Sequence, residues 1–144
     1  AIASNQFKRL EKFKNIRKVN IKKIISILVN DTNWNNQFKF VDIPKEIDPS
    51  FMALPILLNP RYKNKKKQFI NYIESKGLET RPIISGSFPN QPSTKLFKLN
   101  KSNKKFKGSE YIQKFGFVIG LHTSKIKKKD LLFLKKTLLS IDKL

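Results

Sequence analysis

The segment KGLETRPIISGSFPNQPS, residues 76–93, decides how the chain is read. It gathers two of the five glycines, three of the seven prolines and one of only four arginines in a 144-residue chain otherwise rich in Lys, Ile, Asn and Phe. Just upstream, NKKKQFINYIESKG sets Phe69, Ile70 and Ile73 on one helical face, and Gly77 stands where a helix ends in left-handed backbone. LETRPII reads as a short strand, because Pro82 pushes Arg81 out of helical and into extended geometry. Ser85, Gly86 and Ser87 then permit a tight turn whose hydroxyl and N–H groups can approach an anion, with Arg81 at its mouth. The same residues also suit a plain surface loop with Arg81 in a structural ion pair. Residue types alone leave both readings open.

Working outward, residues 2–29 read as one long helix, since Phe7, Leu10, Phe13 and Ile16 recur every three residues and Ile21, Ile24, Ile25 and Leu28 continue the apolar face. The polar cluster NDTNWNN ends it, with Trp34 as a packing anchor. QFKFVDI alternates like a half-buried strand stopped by Pro44. A turn-rich connection follows, in which Asp42, Glu46 and Asp48 are expected to be solvated. FMALPILLN is a nearly continuous apolar run suited to a buried strand. Beyond the opening segment, Ser93 to Lys107 carries six lysines and reads as an exposed loop. SEYIQKF is a short helix, GFVIGL a strand, and an amphipathic helix from about Ile126 to Ile141 closes the chain with Leu131, Leu132, Leu134, Leu138 and Leu139. Lys127, Lys128 and Lys129 crowd its first turn, where the helix dipole disfavours cations. The order helix, strand, strand, helix, strand, strand, helix predicts an α+β fold: a small, mainly antiparallel sheet with helices packed on one face.

The net charge of +21 points to nucleic acid or an anionic membrane surface. Yet all the basic residues except Arg9, Arg17, Arg61 and Arg81 are lysine, whereas phosphate and base recognition draws on the guanidinium fork. Lys, Ile, Asn and Phe share A/T-rich codons, so nucleotide bias accounts for the composition about as well as a ligand does. KFGFVIGL, residues 114–121, is similar to the central strand of the RNA recognition module, but Lys114 and Gly120 replace a glycine and an aromatic of that pattern. The competing reading is a buried strand with Phe115 and Phe117 on opposite faces. The absence of cysteine excludes disulfides, Cys-ligated zinc and thiol catalysis, and no metal site is expected. The longest apolar runs are too short to span a bilayer and the first residues lack a signal-peptide layout, so a soluble protein is expected. Because it opens at Ala1 without Met, the chain is expected to be a processed product or a piece of something longer. His122, the only histidine, suits either a structural hydrogen bond or catalysis. With no carboxylate pair, nucleophile triad or phosphate-cradling loop, a self-contained active site is not expected.

Taken together, SKGLETRPIISGSFPNQPSTKLF resembles the C-terminal segment of the DegT/DnrJ/EryC1/StrS family of sugar aminotransferases, pyridoxal-phosphate enzymes of fold type I. The resemblance lies in Gly77, then Thr80, Arg81 and Pro82, then Ser85 and Gly86, then Gln91 and Pro92. YIQKFGFVIGLHTSKIKKKDLLFL is similar to the family's closing strand and helix, with Gly120 and His122 in place. AIASNQFKRLEKFKNIRKVN resembles the long helix leaving the cofactor domain, with Ala1, Ile2, Gln6, Leu10 and Arg17 in register. Ser87 stands where many members have Asn, and Asn90 where many have Arg.

The resemblance implies a fragment of an aminotransferase acting on a nucleotide-activated keto-sugar in surface polysaccharide or deoxysugar biosynthesis, with residues 1–30 as the helix linking it to a cofactor domain and 31–144 as the C-terminal small α+β domain. Arg81, Ser85, Gly86, Ser87, Gln91 and His122 would meet or shape the substrate site. Pyridoxal 5'-phosphate would be held by an N-terminal domain outside this sequence, which also supplies the Schiff-base lysine. No catalytic residue is therefore expected here, and the chain alone should be inactive. A histidine in place of that lysine would make the enzyme a sugar 3-dehydratase. The implied partners are an amino donor such as glutamate and a second subunit in a cytoplasmic homodimer, with neither membrane nor nucleic acid. A small lysine-rich, ribosomal-type nucleic-acid-binding protein is the alternative.

Overall fold

The computed structural model describes residues 2–84, 86–96 and 106–144. Its elements run α1 (Ile2–Phe7), α2 (Leu10–Val29), β1 (Phe38–Phe40), β2 (Ala53–Leu58), α3 (Lys66–Ser75), β3 (Thr80–Arg81), α4 (Lys107–Phe115), β4 (Gly116–Gly120) and α5 (Lys128–Leu138), with short 3₁₀ turns between several of them. The four strands form one sheet in the order β1-β2-β4-β3, and every neighbouring pair is antiparallel. The α+β fold expected from the pattern is therefore the one observed, although α4 separates the last two strands in sequence.

Alternation along β2 builds the core. Leu54, Ile56 and Leu58 are buried, while Ala53, Pro55 and Leu57 on the other face are half-buried. The continuous apolar run is thus a one-faced strand rather than one buried on both sides. Phe117 pairs with Ile56 and Ile119 with Leu54, so β4 presents its large side chains to the same face. Ile24 and Leu28 of α2, Phe69 and Ile73 of α3 and Leu138 of α5 pack there. Phe38, Phe69 and Phe117 form an aromatic centre with ring centroids 5.9 to 6.5 Å apart, a spacing that favours tilted and edge contacts. Pro55 is tolerated in a central strand because β1 ends at Phe40, opposite Ile56, so Pro55 faces no residue of that neighbour.

Several expectations shift. The helix over 2–29 is divided at Lys8 and Arg9, where the Arg9 N–H donates to the Gln6 carbonyl three residues back. Asp48 is not merely solvated: it pairs with Lys18 and, at 3.3 Å, with Lys14, tying the β1–β2 connection to α2. Hydrogen bonds from these two ammonium groups, that of Lys18 foremost, hold its carboxyl below the usual value. Phe115 closes α4 instead of entering β4 and packs on Tyr111 at 4.8 Å, while Phe117 lies in the core. With Phe115 only 6% and Phe117 2% exposed, the aromatic pair of a base-stacking strand is not available to solvent. Trp34 is a packing anchor, stacked on Phe40 at 6.1 Å. The expected lysine-rich loop is described only at its margins, Pro92–Leu96 being a 3₁₀ turn; residues 97–105 lie outside the described residues.

Candidate functional site

The turn after β3 is positioned from three directions. Gly77 ends α3 with φ of +87°, and the paired bonds from Leu78 N–H to Ile73 O and from Gly77 N–H to Glu74 O close the helix. Thr80 then donates its hydroxyl to the Glu74 carboxylate, fixing the entry to β3. Arg81 pairs with Val118 along β4, and its guanidinium reaches Glu79 at 2.8 Å. That side chain is 76% exposed, so the ion pair is weak and easily exchanged for another anion.

Past Pro82 the chain crosses the start of β4, where a Cβ on Gly116 would lie 2.6 Å from the Ile83 side chain. Gly86 takes φ of +51°, and a Cβ there would stand 3.1 Å from the Gln113 side chain. Both the backbone conformation and the close approach call for glycine. Gln113, on α4, is the organiser that no local pattern singles out: its Oε1 accepts the Ser87 N–H at 3.1 Å and the Asn90 amide at 3.4 Å. The Ser87 side chain is fully buried, with the Ser109 hydroxyl 3.3 Å away. Asn90 is exposed, and Gln91, half-buried, accepts the Thr94 hydroxyl on its carbonyl at 2.7 Å. Ser85 lies outside the described residues.

His122 stands elsewhere. It follows β4 by two residues, whereas the turn crosses the beginning of that strand, so about 20 Å of extended chain separates Gly116 from His122. Arg81 lies between, opposite Val118. The imidazole is exposed, and its Nδ1 accepts the Ser124 N–H at 3.1 Å, which leaves the proton of the neutral ring on Nε2. A second residue missed by the sequence reading holds this loop. Asn20, 2% exposed on the apolar stripe of α2, donates to the carbonyls of His122 and Ser124 and accepts the Ile126 N–H at 3.0 Å. Its signal was available: a polar residue flanked by Ile16, Ile21 and Ile24 must find partners when buried. A groove of about 420 Å³ beside His122 is lined by Asn20, Leu121, Lys127 and Asp130 among others.

Lys66 has its amine pKa lowered by desolvation, but its Nζ donates to Gly116 O at 3.0 Å and Gln113 O at 3.3 Å, holding the end of α4. No cluster of His, Cys, Asp or Glu able to hold a metal occurs among the described residues, and no helix among them is long and apolar enough to cross a membrane.

No family model and no curated protein matches the sequence. Solved structures do match. A variant of GDP-4-keto-6-deoxymannose-3-dehydratase (ColD) with bound GDP-perosamine superposes with a TM-score of 0.78 at 21% identity, covering 95% of this chain and 34% of that one. The E. coli GDP-4-keto-6-deoxy-D-mannose-3-dehydratase with bound hydrated PLP gives 0.74 at 23% identity, over 95% and 33%. Helicobacter pylori PseC, an aminotransferase involved in the biosynthesis of pseudoaminic acid, gives 0.75 at 14% identity, over 95% and 34%. The chain thus has the fold of a segment of fold type I pyridoxal-phosphate enzymes and spans about a third of their length.

Proposed function

We propose that the chain is the C-terminal small domain and linking helix of a pyridoxal-phosphate-dependent aminotransferase acting on a nucleotide-activated keto-sugar. The observation that carries this reading is the superposition of 95% of the chain on one third of such sugar enzymes. The order Gly77, Thr80-Arg81-Pro82, Gly86 and Gln91-Pro92 supports it independently of overall shape. The cofactor, when bound by the domain upstream, supplies an electron sink for moving an amino group from a donor such as glutamate.

This chain's own residues form one wall of the cleft. Arg81 exchanges Glu79 for an anionic or hydroxylated part of the substrate, which the exposure of its ion pair permits. The turn from Gly86 to Gln91 is the rim beside it, with buried Ser87 shaping the backbone rather than offering its hydroxyl, and Ser85 is assigned to the same rim by the family resemblance alone. His122, at the far end of β4, sits on the cleft's periphery and not beside Arg81. The complete enzyme is a cytoplasmic homodimer, and this chain alone does not transaminate.

Dehydration at the sugar 3-position is the second reading, supported by the identities of 21% and 23% with two structures of one kind of dehydratase against 14% with PseC. Translating the coding sequence upstream of Ala1 separates the two: a lysine at the Schiff-base position gives aminotransfer, a histidine gives dehydration, and absence of a cofactor domain overturns both. In the full-length enzyme, Arg81→Ala is expected to lower kcat/KM for the sugar by about 10- to 100-fold while leaving cofactor absorbance unchanged, the effect of losing one charge-assisted hydrogen bond. Unchanged kinetics would remove Arg81 from the site.

A further inference from the structure

β3 hands the chain on after two paired residues, and backbone bonds of the turn run within it, from Gly86 N–H to Ile83 O at 3.2 Å and from Asn90 N–H to Ser87 O at 2.9 Å. A tie to the rest of the domain comes from one face of α4. Ser109 and Gln113, four residues apart, lie on that face. The Ser109 hydroxyl meets that of buried Ser87, and the Gln113 stem approaches Gly86 so closely that a Cβ there would stand 3.1 Å from its Cγ. α4 is itself fixed at this point, because the Lys66 ammonium of α3 donates to the carbonyls of Gln113 and Gly116. Gln113 therefore joins the core to the turn. Its backbone is held from α3, and its side chain holds residues 86–90.

Hydrogen-bond polarity then fixes both amides. A backbone N–H can only donate, so the Ser87 N–H at 3.1 Å requires Gln113 to direct Oε1, and not Nε2, at the turn. The same oxygen faces the Asn90 amide at 3.4 Å, so Asn90 must offer Nδ2. Its Oδ1 is left without a partner among the described residues, on an exposed residue of the turn that follows Arg81. An amide oxygen held this way accepts a hydroxyl, whereas an amide free to turn would offer its NH₂ as readily and discriminate less. We propose that Gln113 is a positioning residue for the sugar: it sets the turn and the Asn90 amide so that Asn90 Oδ1 accepts a hydroxyl of the bound sugar. This rests on the reading of the chain as one wall of a sugar-enzyme cleft. Gln113 itself does not touch the sugar.

The test uses the full-length holoenzyme and GDP-4-keto-6-deoxymannose, the sugar nucleotide in the names of the dehydratases on which the chain superposes. Gln113→Met keeps the stem and loses the acceptor; Gln113→Glu keeps an oxygen for both N–H groups and loses the donor. Gln113→Met is expected to raise KM about 5- to 10-fold, the loss of one neutral hydrogen bond, with kcat within about twofold and cofactor absorbance unchanged. Gln113→Glu should keep KM within about twofold of the parent, which a side chain donating directly to the sugar would not do. In an Asn90→Ala background Gln113→Met should add less than about twofold, because both act on one contact. Unchanged KM in Gln113→Met, a loss shared by Gln113→Glu, or full additivity with Asn90→Ala overturns the proposal. In each of these cases an effect of Arg81→Ala on turnover leaves the cleft-wall reading standing. If Arg81→Ala is silent as well, or the parent enzyme does not turn over GDP-4-keto-6-deoxymannose, the reading and the proposal fall together.

Discussion

At the β1 edge of the sheet, Gln37 is fully buried, donating its amide to Asn33 O at 2.7 Å and to Asp142 Oδ2 at 2.8 Å, beside a Tyr62 hydroxyl bound to the same carboxylate. Phe38 follows, buried against Phe69. At the β3 edge the strand is two residues long, Arg81 is exposed, and Ile84, Phe88 and Leu96 are 82%, 47% and 85% exposed. Gln37 and Phe38 at the first edge are buried and partnered, whereas Arg81, Ile84 and Leu96 at the second stand largely in water. Folding free energy is thus concentrated in β1, β2, β4 and the helices, and the edge that bears Arg81 is the part that a ligand or a neighbouring domain can reshape without unfolding the rest.

The comparison is most exposed at Phe69, which touches both other rings of the aromatic centre and is 0% exposed. Phe69→Ala should cost about 3–5 kcal/mol in denaturant unfolding, whereas Ile84→Ala should change stability by less than about 0.5 kcal/mol. Comparable losses at both sites would abolish the distinction between the edges. Asn20→Ala ranks next, at about 2 kcal/mol, because it strands two loop carbonyls and the Ile126 N–H. Its effect on backbone amide shifts should centre on residues 121–126, and a uniform change across the sheet would contradict the clamp assigned to it.

Smaller effects sharpen the picture at the turn. Gly86→Ala should cost about 1 kcal/mol through left-handed backbone and contact with Gln113, and Gln113→Ala should relieve only the part due to Cγ and Cδ, since its Cβ, 3.2 Å from the new methyl position, remains. Asp31 tests the helical layer. Hydrogen bonds from Lys135 and then from Asn33 lower its carboxyl from 3.8 to about 2, so its contribution is complete above pH 3.8 and is lost as pH falls toward 2. Asp31→Asn should remove that part of the acid dependence of the urea midpoint; identical profiles for the two proteins would show that the pair contributes nothing. Arg81→Ala should leave the unfolding free energy within about 0.5 kcal/mol, as expected for an exposed pair, even where it reduces sugar turnover.

Much of the fold was legible in local pattern. Apolar spacing marked α2, α3 and α5, and Gly77 marked the end of α3, because helical period and left-handed caps are properties of neighbouring residues. The break at Lys8 and Arg9 was not legible, since no proline or glycine announces it. The two faces of β2 were also hidden, because an unbroken apolar run does not say which side a helix will cover. At the candidate site, Gly86 and Arg81 could be singled out by residue type. Gln113 could not, for it comes 26 residues after Ser87 and meets it only when α4 folds back over the turn.

By itself the sequence determined an α+β chain, a glycine-dependent turn behind Arg81 and a lysine excess without cysteine chemistry. These follow from backbone sterics, hydrophobic period and composition, which act over a few residues. Only the tertiary structure decided that Ser87 is buried under α4, that His122 lies at the other end of β4 from the turn, and that Gln113 meets Asn90 as well as Ser87. Such placements depend on strand order and helix packing between residues as much as a hundred positions apart, and no local preference encodes them.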